Sequence, residues 1–172
     1  MQQSGTKLVL ALVGLAFLLG LTSWWYRYEA AHRASQFWGP EASRLIAESK
    51  GLQVWEEGAL TVSALHLNIM SIDFHEVQDL SHARGQAHLR HALMSDRNYV
   101  WGEPLDSAAI EWRWCLRFHE GERQVQVLLS GNLSEIGKYE PTNQSVIAFS
   151  CEPMTASLQQ YFGALGLAEI AN

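Results

Sequence analysis

The chain has 172 residues, 48% of them hydrophobic and 17% charged, which is typical of a folded domain and excludes disorder over most of its length. Twelve Lys and Arg against 18 Asp and Glu give a formal net charge of −6. Nucleic-acid binding normally requires a basic surface that displaces counterions, and no segment here concentrates Lys or Arg. Nucleic acid is therefore excluded as an expected partner.

An apolar run follows a short basic tail, residues 1–7. Leu8 to Leu21 contains no charged or hydrogen-bonding side chain. At about 1.5 Å rise per residue, a helix over 8–26 nearly matches a hydrocarbon core of roughly 30 Å. The sequence therefore predicts a transmembrane helix at 8–26 and a juxtamembrane stalk at 27–39. Aromatic side chains favour the headgroup layer, and four are predicted there: Trp24, Trp25, Tyr26 and Tyr28.

Two other interpretations of this run are open: a cleaved secretory signal, which also begins with a basic tail and an apolar segment, and a helix buried in a soluble protein. Cleavage requires small residues at −3 and −1. The candidates, Gly20-Leu-Thr22 and Leu21-Thr-Ser23, do not resemble Ala-x-Ala, and bulky aromatic residues follow directly. The pattern favours an uncleaved signal-anchor, with the lipid bilayer as one partner.

The side of the membrane depends on two opposing arguments. Lys7 precedes the run, whereas Arg27, Arg33 and Arg44 follow it, and this count alone would leave the domain in the cytoplasm. A tiny basic tail before a long domain is, however, typical of a signal-anchor, and long domains translocate largely regardless of charge. We expect an extracytoplasmic domain, periplasmic if the organism is a bacterium.

Residues typical of helix and strand ends mark the first elements beyond the stalk. Gly39-Pro40 and Glu41 predict the start of a helix that ends near Lys50-Gly51, at 40–50. A strand-like stretch from Leu60 to Phe74 changes its apolar register, which implies bulges or a turn near Met70-Ser71. Residues 80–94 have the length and composition of a helix, despite Gly85.

The second half has the clearest alternation. Ile110, Trp112, Trp114, Leu116 and Phe118 alternate with polar residues and predict a strand with one apolar face. The remaining expected elements are a turn at 120–122, a hairpin strand at 123–130, a loop at 131–144, a strand at 146–149 and a helix at 154–165. Together they predict an α+β domain over 40–172, with helices on one face of a mostly antiparallel sheet.

Seven tryptophans make a heavy aromatic load. Trp112 and Trp114 are predicted on the core face of their strand. Trp38, Trp55 and Trp101 lie at element ends and are candidate partner-binding residues, since exposed aromatic side chains anchor many interfaces. Packing in the core or at its edge is the alternative for all three.

The two cysteines permit a disulfide in an extracytoplasmic domain, but the alternation argues against it. Cys115 falls on the polar face of its strand, whereas Cys151 continues the inward face of Ile147 and Phe149. Opposite sheet faces prevent a disulfide unless residue 151 has left the strand. Two free thiols are therefore favoured over a bridge.

Histidines are the strongest polar signal for a metal site. His88 and His91 stand three residues apart in the predicted helix, so they can share one face and are weak candidate ligands. Arg84 and Arg90 nearby disfavour a cation, and solvated histidines are the simpler interpretation. His75-Glu76 begins like a zinc-protease motif, but the second histidine is missing. No cofactor is predicted.

Two principal hypotheses follow. The favoured one is a membrane-anchored, non-catalytic accessory or assembly protein whose domain binds a protein partner in a larger membrane or envelope complex. The alternative is a membrane-tethered hydrolase or metal-binding enzyme with a His/Asp cluster, drawn from His66, Asp73, His75, His88, His91 and His119. A sensor domain that binds a small molecule is a third possibility, which depends on an apolar pocket.

Overall fold

The structure is a computed structural model that describes residues 12–23, 25, 32–57, 65–67 and 72–167. The chain divides into two compact units, Met1–Arg33 and Ala34–Asn172. Ala34 and Trp38, which the sequence places in a stalk, are 0% and 1% exposed and belong to the core of the second unit. The folded unit therefore includes 34–39 as well as the expected domain.

In the first unit, residues 12–23 form a helix, α1. Its large apolar side chains are exposed, from 46% at Leu21 to 67% at Phe17. Over the part of the chain that the structure describes, no helix is both long and apolar enough to cross a membrane. Of the predicted span 8–26, only 12–23 and 25 lie within the described residues.

The second unit contains helices and strands in an α+β arrangement. The helices are α2 (Arg33–Trp38), α3 (Pro40–Glu48), α4 (Gln86–Leu93) and α5 (Thr155–Ala164). The strands are β1 (Gly51–Glu57), β2 (Leu65–Leu67), β3 (Ile72–Asp79), β4 (Val100–Leu105), β5 (Trp112–Glu120), β6 (Arg123–Ser130), β7 (Glu135–Glu140) and β8 (Ser145–Ser150). Short 3₁₀ turns lie at Asp96–Asn98, Ser107–Ala109 and Glu152–Met154.

The strands form one sheet in the order β2-β3-β1-β5-β6-β7-β8-β4. Every described pairing in it is antiparallel. The predicted hairpin is confirmed as β5 and β6, whose turn places Gly121 at φ 62°, a conformation that glycine adopts without strain. The predicted α+β fold with an antiparallel sheet is thus confirmed.

The two faces of the sheet carry separate hydrophobic clusters. The larger cluster joins one face to the helices, through residues such as Ile46, Leu93, Leu116 and Phe162. The smaller cluster, on the other face, contains Trp55, Phe74, Trp112, Cys115, Leu128 and Ala148. The helices thus cover one face, and the second face has a core of its own built from strand residues.

A β-bulge places Trp112 on the second face. The pairing of β5 with β6 shifts between Trp112 and Trp114, so these residues lie opposite Ser130 and Leu129. One extra residue in a strand moves the following side chains to the other face. Trp114 belongs to the larger cluster and Trp112 to the smaller, so the prediction that both share one core face is wrong.

Local composition misled the prediction at several other elements. The expected loop at 131–144 contains β7, although Gly137 and Pro141 are typical of loops. The expected helix at 80–94 begins only at Gln86, because Gly85 has φ 87° and a left-handed conformation just before it. The expected elements also leave β1 and β4 unassigned. The helix predicted at 154–165 is confirmed as α5.

Arg90 lies on α4 and is buried, at 8% exposure. Its guanidinium donates hydrogen bonds to the carbonyl oxygens of Leu45, Ile46 and Ser49 at the end of α3. It also lies 5.1 Å from the centre of the Phe118 ring. The Leu45 carbonyl also accepts the backbone N–H of Ser49, whereas Arg90 is the donor to the carbonyls of Ile46 and Ser49. Arg90 thus joins α4 to α3 by capping the end of α3.

Candidate functional site

Two of the three candidate partner-binding tryptophans are inside the protein. The Trp38 indole N–H donates to the carbonyl oxygen of Leu93 at 3.0 Å and to the Tyr99 hydroxyl at 3.2 Å. Burial raises the pKa of Tyr99, so this hydroxyl stays protonated. Trp55 is 4% exposed, in the smaller cluster. Both side chains therefore contribute to the cores.

Trp101 differs because it lies on β4, the last strand of the sheet order, and is only partly buried. Its ring stacks on Tyr99 with centroids 4.7 Å apart and meets Phe37 and Phe149 edge-on, at 6.3 and 5.3 Å. Its indole N–H donates to the carbonyl oxygen of Asp96 at 2.9 Å. These contacts hold the ring in one orientation, so little side-chain entropy would be lost on binding.

Two exposed apolar residues accompany Trp101 on β4: Val100 at 51% and Leu105 at 39%. We call Val100, Trp101 and Leu105 the edge patch. β4 is joined to β8 through only two register positions with an irregularity between them, and Pro104 has no backbone N–H to offer a further strand. The outer side of β4 thus exposes side chains rather than a regular backbone ladder.

A second surface feature is a cleft of about 400 Å³ where β6 and β7 separate. We call it the β6–β7 cleft. The pairing of the two strands ends at Val127 and Lys138, although β6 begins at Arg123 and β7 continues to Glu140. The start of α3 closes the cleft on one side. The lining residues are Trp38, Gly39, Pro40, Glu41, Ala42, Leu45, Gln124, Val125, Gln126, Lys138, Tyr139 and Pro141.

Two polar residues that line this cleft differ in whether their side chains have a partner. The Lys138 ammonium pairs with Glu140 at 3.1 Å. The Gln126 side chain is 7% exposed and its Oε1 is buried without a hydrogen-bond partner. A buried polar atom without a partner typically costs about 1–3 kcal/mol. Gln126 sits at an ordinary polar position of an alternating strand, so nothing in the sequence signals this environment.

The candidate metal ligands His88 and His91 are exposed on α4. Within the described residues, no three His, Cys, Asp or Glu side chains are placed to hold a metal ion together. His75 and His119 pair with Glu56 and Gly51, five residues apart on β1, which is roughly 16 Å along a strand.

The other histidine and aspartate residues of the enzyme hypothesis lie on strands β2, β3 and β5. The backbones of His66 and Asp73 lie opposite each other in the pairing of β2 with β3. The His119 ring fills the space above Gly51, where a Cβ would lie 2.2 Å from Nε2. His119 therefore has a packing role on the sheet surface.

Cys115 and Cys151 are both free and buried. They lie in different clusters: Cys115 on the second face of the sheet, and Cys151 in the larger cluster just beyond the end of β8. The prediction that Cys115 lies on a polar strand face is wrong, because it is 0% exposed in the smaller cluster. Burial raises the pKa of each thiol to about 12. Neither thiol is thus prepared for nucleophilic chemistry at neutral pH.

Among the four expected membrane-interface residues, Trp25 is described and is 63% exposed. Trp24, Tyr26 and Tyr28 lie outside the described residues.

Comparison with known proteins adds no relative: no family model, curated protein or solved structure matches the chain.

Proposed function

We propose that the protein is a single-pass, membrane-anchored accessory or assembly protein without catalytic activity of its own. Its folded unit binds a protein partner that belongs to a larger membrane or envelope complex. The observation that carries the proposal is an N-terminal helix that is apolar on all sides and whose large side chains are exposed.

Support for the anchor comes from the cost of leaving such a helix in water. A helix that is apolar all round belongs in a protein core or a bilayer. Exposed positions in α1 include Leu12, Val13, Leu15, Phe17, Leu18, Leu19 and Leu21. Burial of these side chains in hydrocarbon would stabilise the protein by on the order of 10 kcal/mol. Trp25 then lies at the membrane interface with Trp24, Tyr26 and Tyr28, and the folded unit lies on the extracytoplasmic side.

Support for partner binding comes from the edge patch. A rigidly held and partly exposed tryptophan on an edge strand is typical of interface anchors, because an aromatic side chain contributes much contact area at little entropic cost. Trp101 has this environment among the three candidate tryptophans, since Trp38 and Trp55 are buried.

The anchor is tested by fractionating cells that express the full-length chain and washing the membranes at alkaline pH. The protein should stay in the washed membranes, and a variant with Leu15→Asp and Leu19→Asp should be released. Protease added outside spheroplasts should degrade the folded unit. Release of the unaltered chain by the wash, or shortening of its N-terminus by a signal peptidase, would contradict the anchor.

Partner binding is tested by affinity purification of the detergent-solubilised protein from its native host, with quantitative mass spectrometry. We expect one set of membrane or envelope proteins to be retained and Trp101→Ala to lower its recovery at least fivefold. Val77→Ala is the matched control, because Val77 is also apolar and 40% exposed but lies on β3. Equal recovery with Trp101→Ala would remove the edge patch from the proposal, and reproducible recovery of the protein alone would contradict the function.

A further inference from the structure

We propose that a groove between α4 and α5 binds an amphipathic helix of the partner, one whose flank carries Asp or Glu. The inference rests on the proposed partner-binding function and names the chemistry of one segment of such a partner. One wall of the groove contains Gly85 and the α4 side chains His88, Leu89 and Ala92, and the other consists of residues of the segment 154–164. We call this surface the α4–α5 groove. It shares no residue with the edge patch, so the two can be tested independently.

The floor of the groove is apolar. Leu89, Met154 and Leu158 line it and belong to the larger cluster. The Tyr161 ring lies against Gly85, where an added Cβ would be 2.8 Å from Cε2. Methionine is common at surfaces that accept partners, because its unbranched side chain adapts its shape. Apolar side chains of a docked segment therefore have a matching surface here.

The rim on the α4 side is basic in an otherwise acidic protein. Residues 80–95 contain no Asp or Glu, although the whole chain has a formal net charge of −6. Arg84, His88 and His91 are exposed, and none of these side chains forms an ion pair in the described part of the chain. His88 lines the groove, and His91 shares its side of α4 three residues later. Arg84 is always charged and histidine donates hydrogen bonds, so this rim favours carboxylates.

Carboxylates of the protein do not neutralise this rim. α5 has no charged residue. Asp79 and Asp96, the acidic residues nearest to the rim in sequence, accept the backbone N–H groups of Ser81 and Ala34. Glu152 is exposed in the turn before α5 and does not line the groove. A partner segment with Asp or Glu would supply the charge that complements the rim.

The shape of the groove favours a helix over a small molecule. A pocket for a small ligand encloses most of the ligand surface, roughly 70–90%. The α4–α5 groove has a volume of about 340 Å³, but His88, Ser157 and Gln160 are exposed on its two sides. At about 1.5 Å per residue, α4 and α5 are roughly 12 and 15 Å long, which matches about two to three turns of a third helix. The small side chains of Ala92 and Ala164 let such a helix approach closely and contact the floor and both walls.

The described helices of the chain itself do not supply the occupant. Residues 12–23 of α1 contain no Asp or Glu. α3 carries Glu41 and Glu48, but its apolar side chains Leu45 and Ile46 are buried in the larger cluster. A second copy therefore has no acidic helix with a free apolar face among the described residues. The occupant is a helix of a different protein.

The test uses the full-length protein in detergent micelles and three pools of helical peptides of about 15 residues. Every pool has the same apolar face, with Leu, Ile, Met or Phe at each of its positions. The flanks are Glu in the first pool, Gln in the second and Lys in the third. Equilibrium dialysis with mass spectrometry measures retention by the protein above that by empty micelles. We expect the Glu pool to be retained at least tenfold more than the Lys pool, with the Gln pool between them.

Variants connect retention to the groove. Ser157→Trp places a large ring in the groove from an exposed position and should lower retention of the Glu peptides at least tenfold. Gln159→Trp is the matched control, because Gln159 is also exposed on α5 but does not line the groove. Arg84→Gln should lower retention about fivefold, whereas Lys50→Gln, at an exposed position beyond the end of α3, should leave it unchanged. Circular dichroism establishes that each variant is folded.

Several results would overturn the proposal: no retention above that by empty micelles, equal retention of the Glu and Lys pools, or an equal loss with Ser157→Trp and Gln159→Trp. A fatty acid that native mass spectrometry finds on the protein from host membranes, and that Ser157→Trp removes, would assign the groove to a lipid instead. Failure of helix binding with partner recovery still dependent on Trp101 would refute the groove alone. Helix retention without membrane attachment or a native partner would refute the proposed function instead.

Discussion

Gly137→Ala tests the second core directly. A Cβ at position 137 would lie 2.6 Å from Cγ1 of Val146 and 2.8 Å from Cη2 of Trp112. Trp112 cannot easily retreat, because it is 1% exposed and its indole N–H donates to the carbonyl oxygen of Ser107 at 3.0 Å. Overpacking typically costs about 1–3 kcal/mol, whereas loss of glycine flexibility in the unfolded chain returns about 0.4–1 kcal/mol.

We therefore expect Gly137→Ala to lower the free energy of unfolding by about 1–2 kcal/mol. For a unit of this size, Tm should fall by roughly 3–7 °C in thermal unfolding followed by circular dichroism. Gly102→Ala is the matched control, since a Cβ there has no heavy atom within 4 Å and the residue is not in a positive-φ conformation. Its Tm should be unchanged or slightly higher.

A double-mutant cycle tests whether the Trp112 ring causes the loss of stability in Gly137→Ala. Trp112→Leu is itself destabilising, but in its presence Gly137→Ala should cost at least 1 kcal/mol less than in the unaltered chain, because the ring that causes the clash is gone. If Gly137→Ala and Gly102→Ala have the same Tm, Trp112 does not lie over β7. The assignment of the bulge between Trp112 and Trp114 would then be refuted.

Three further results are expected. Arg90→Met should lower the free energy of unfolding by about 2–4 kcal/mol, because it leaves the carbonyl oxygens of Ile46 and Ser49 at the end of α3 without a donor. Exposed Arg84→Met should change it by less than about 0.5 kcal/mol. Urea titration measures both variants, and equal effects would contradict the capping role. Cys115 and Cys151 should react with iodoacetamide only after unfolding, and rapid labelling of the native protein would show that they are accessible. Burial raises the pKa of both thiols from 9 to about 12, so the thiols of the unfolded chain lose their protons at lower pH than those of the folded chain. The stability that the two protonated thiols contribute should therefore be intact below pH 9 and decline as pH rises toward 12. A Cys115→Ala, Cys151→Ala variant with an equally steep decline would show that other groups cause it.

Much of the sheet could be predicted because its signals are local. Strict alternation in β5 and β6 and the glycine turn between them depend on residues close in sequence, and the hairpin lies where they indicate. Pro40 and Lys50-Gly51 likewise bound α3 closely. In β7 the local signal points the other way: Gly137 is typical of a loop, but the ring of Trp112 needs the space that a glycine leaves.

The candidate sites depend on contacts between residues that are far apart in the chain. Trp101 is distinguished from Trp38 and Trp55 by what covers each ring, and that cover comes from distant parts of the chain. The β6–β7 cleft exists because two strands that pair at Val127 separate beyond it. Neither relation has a sequence signature, since the residues involved are ordinary for their positions.

The amino-acid sequence by itself determined an apolar N-terminal run, an acidic chain without a nucleic-acid surface, an α+β composition and a central antiparallel hairpin, because composition and short-range periodicity suffice for these. Only the tertiary structure decided which face Trp112 occupies, that Arg90 is an internal cap, and that Gln126 is buried without a partner. The physical reason is that register, bulges and burial are set by contacts between segments far apart in the chain.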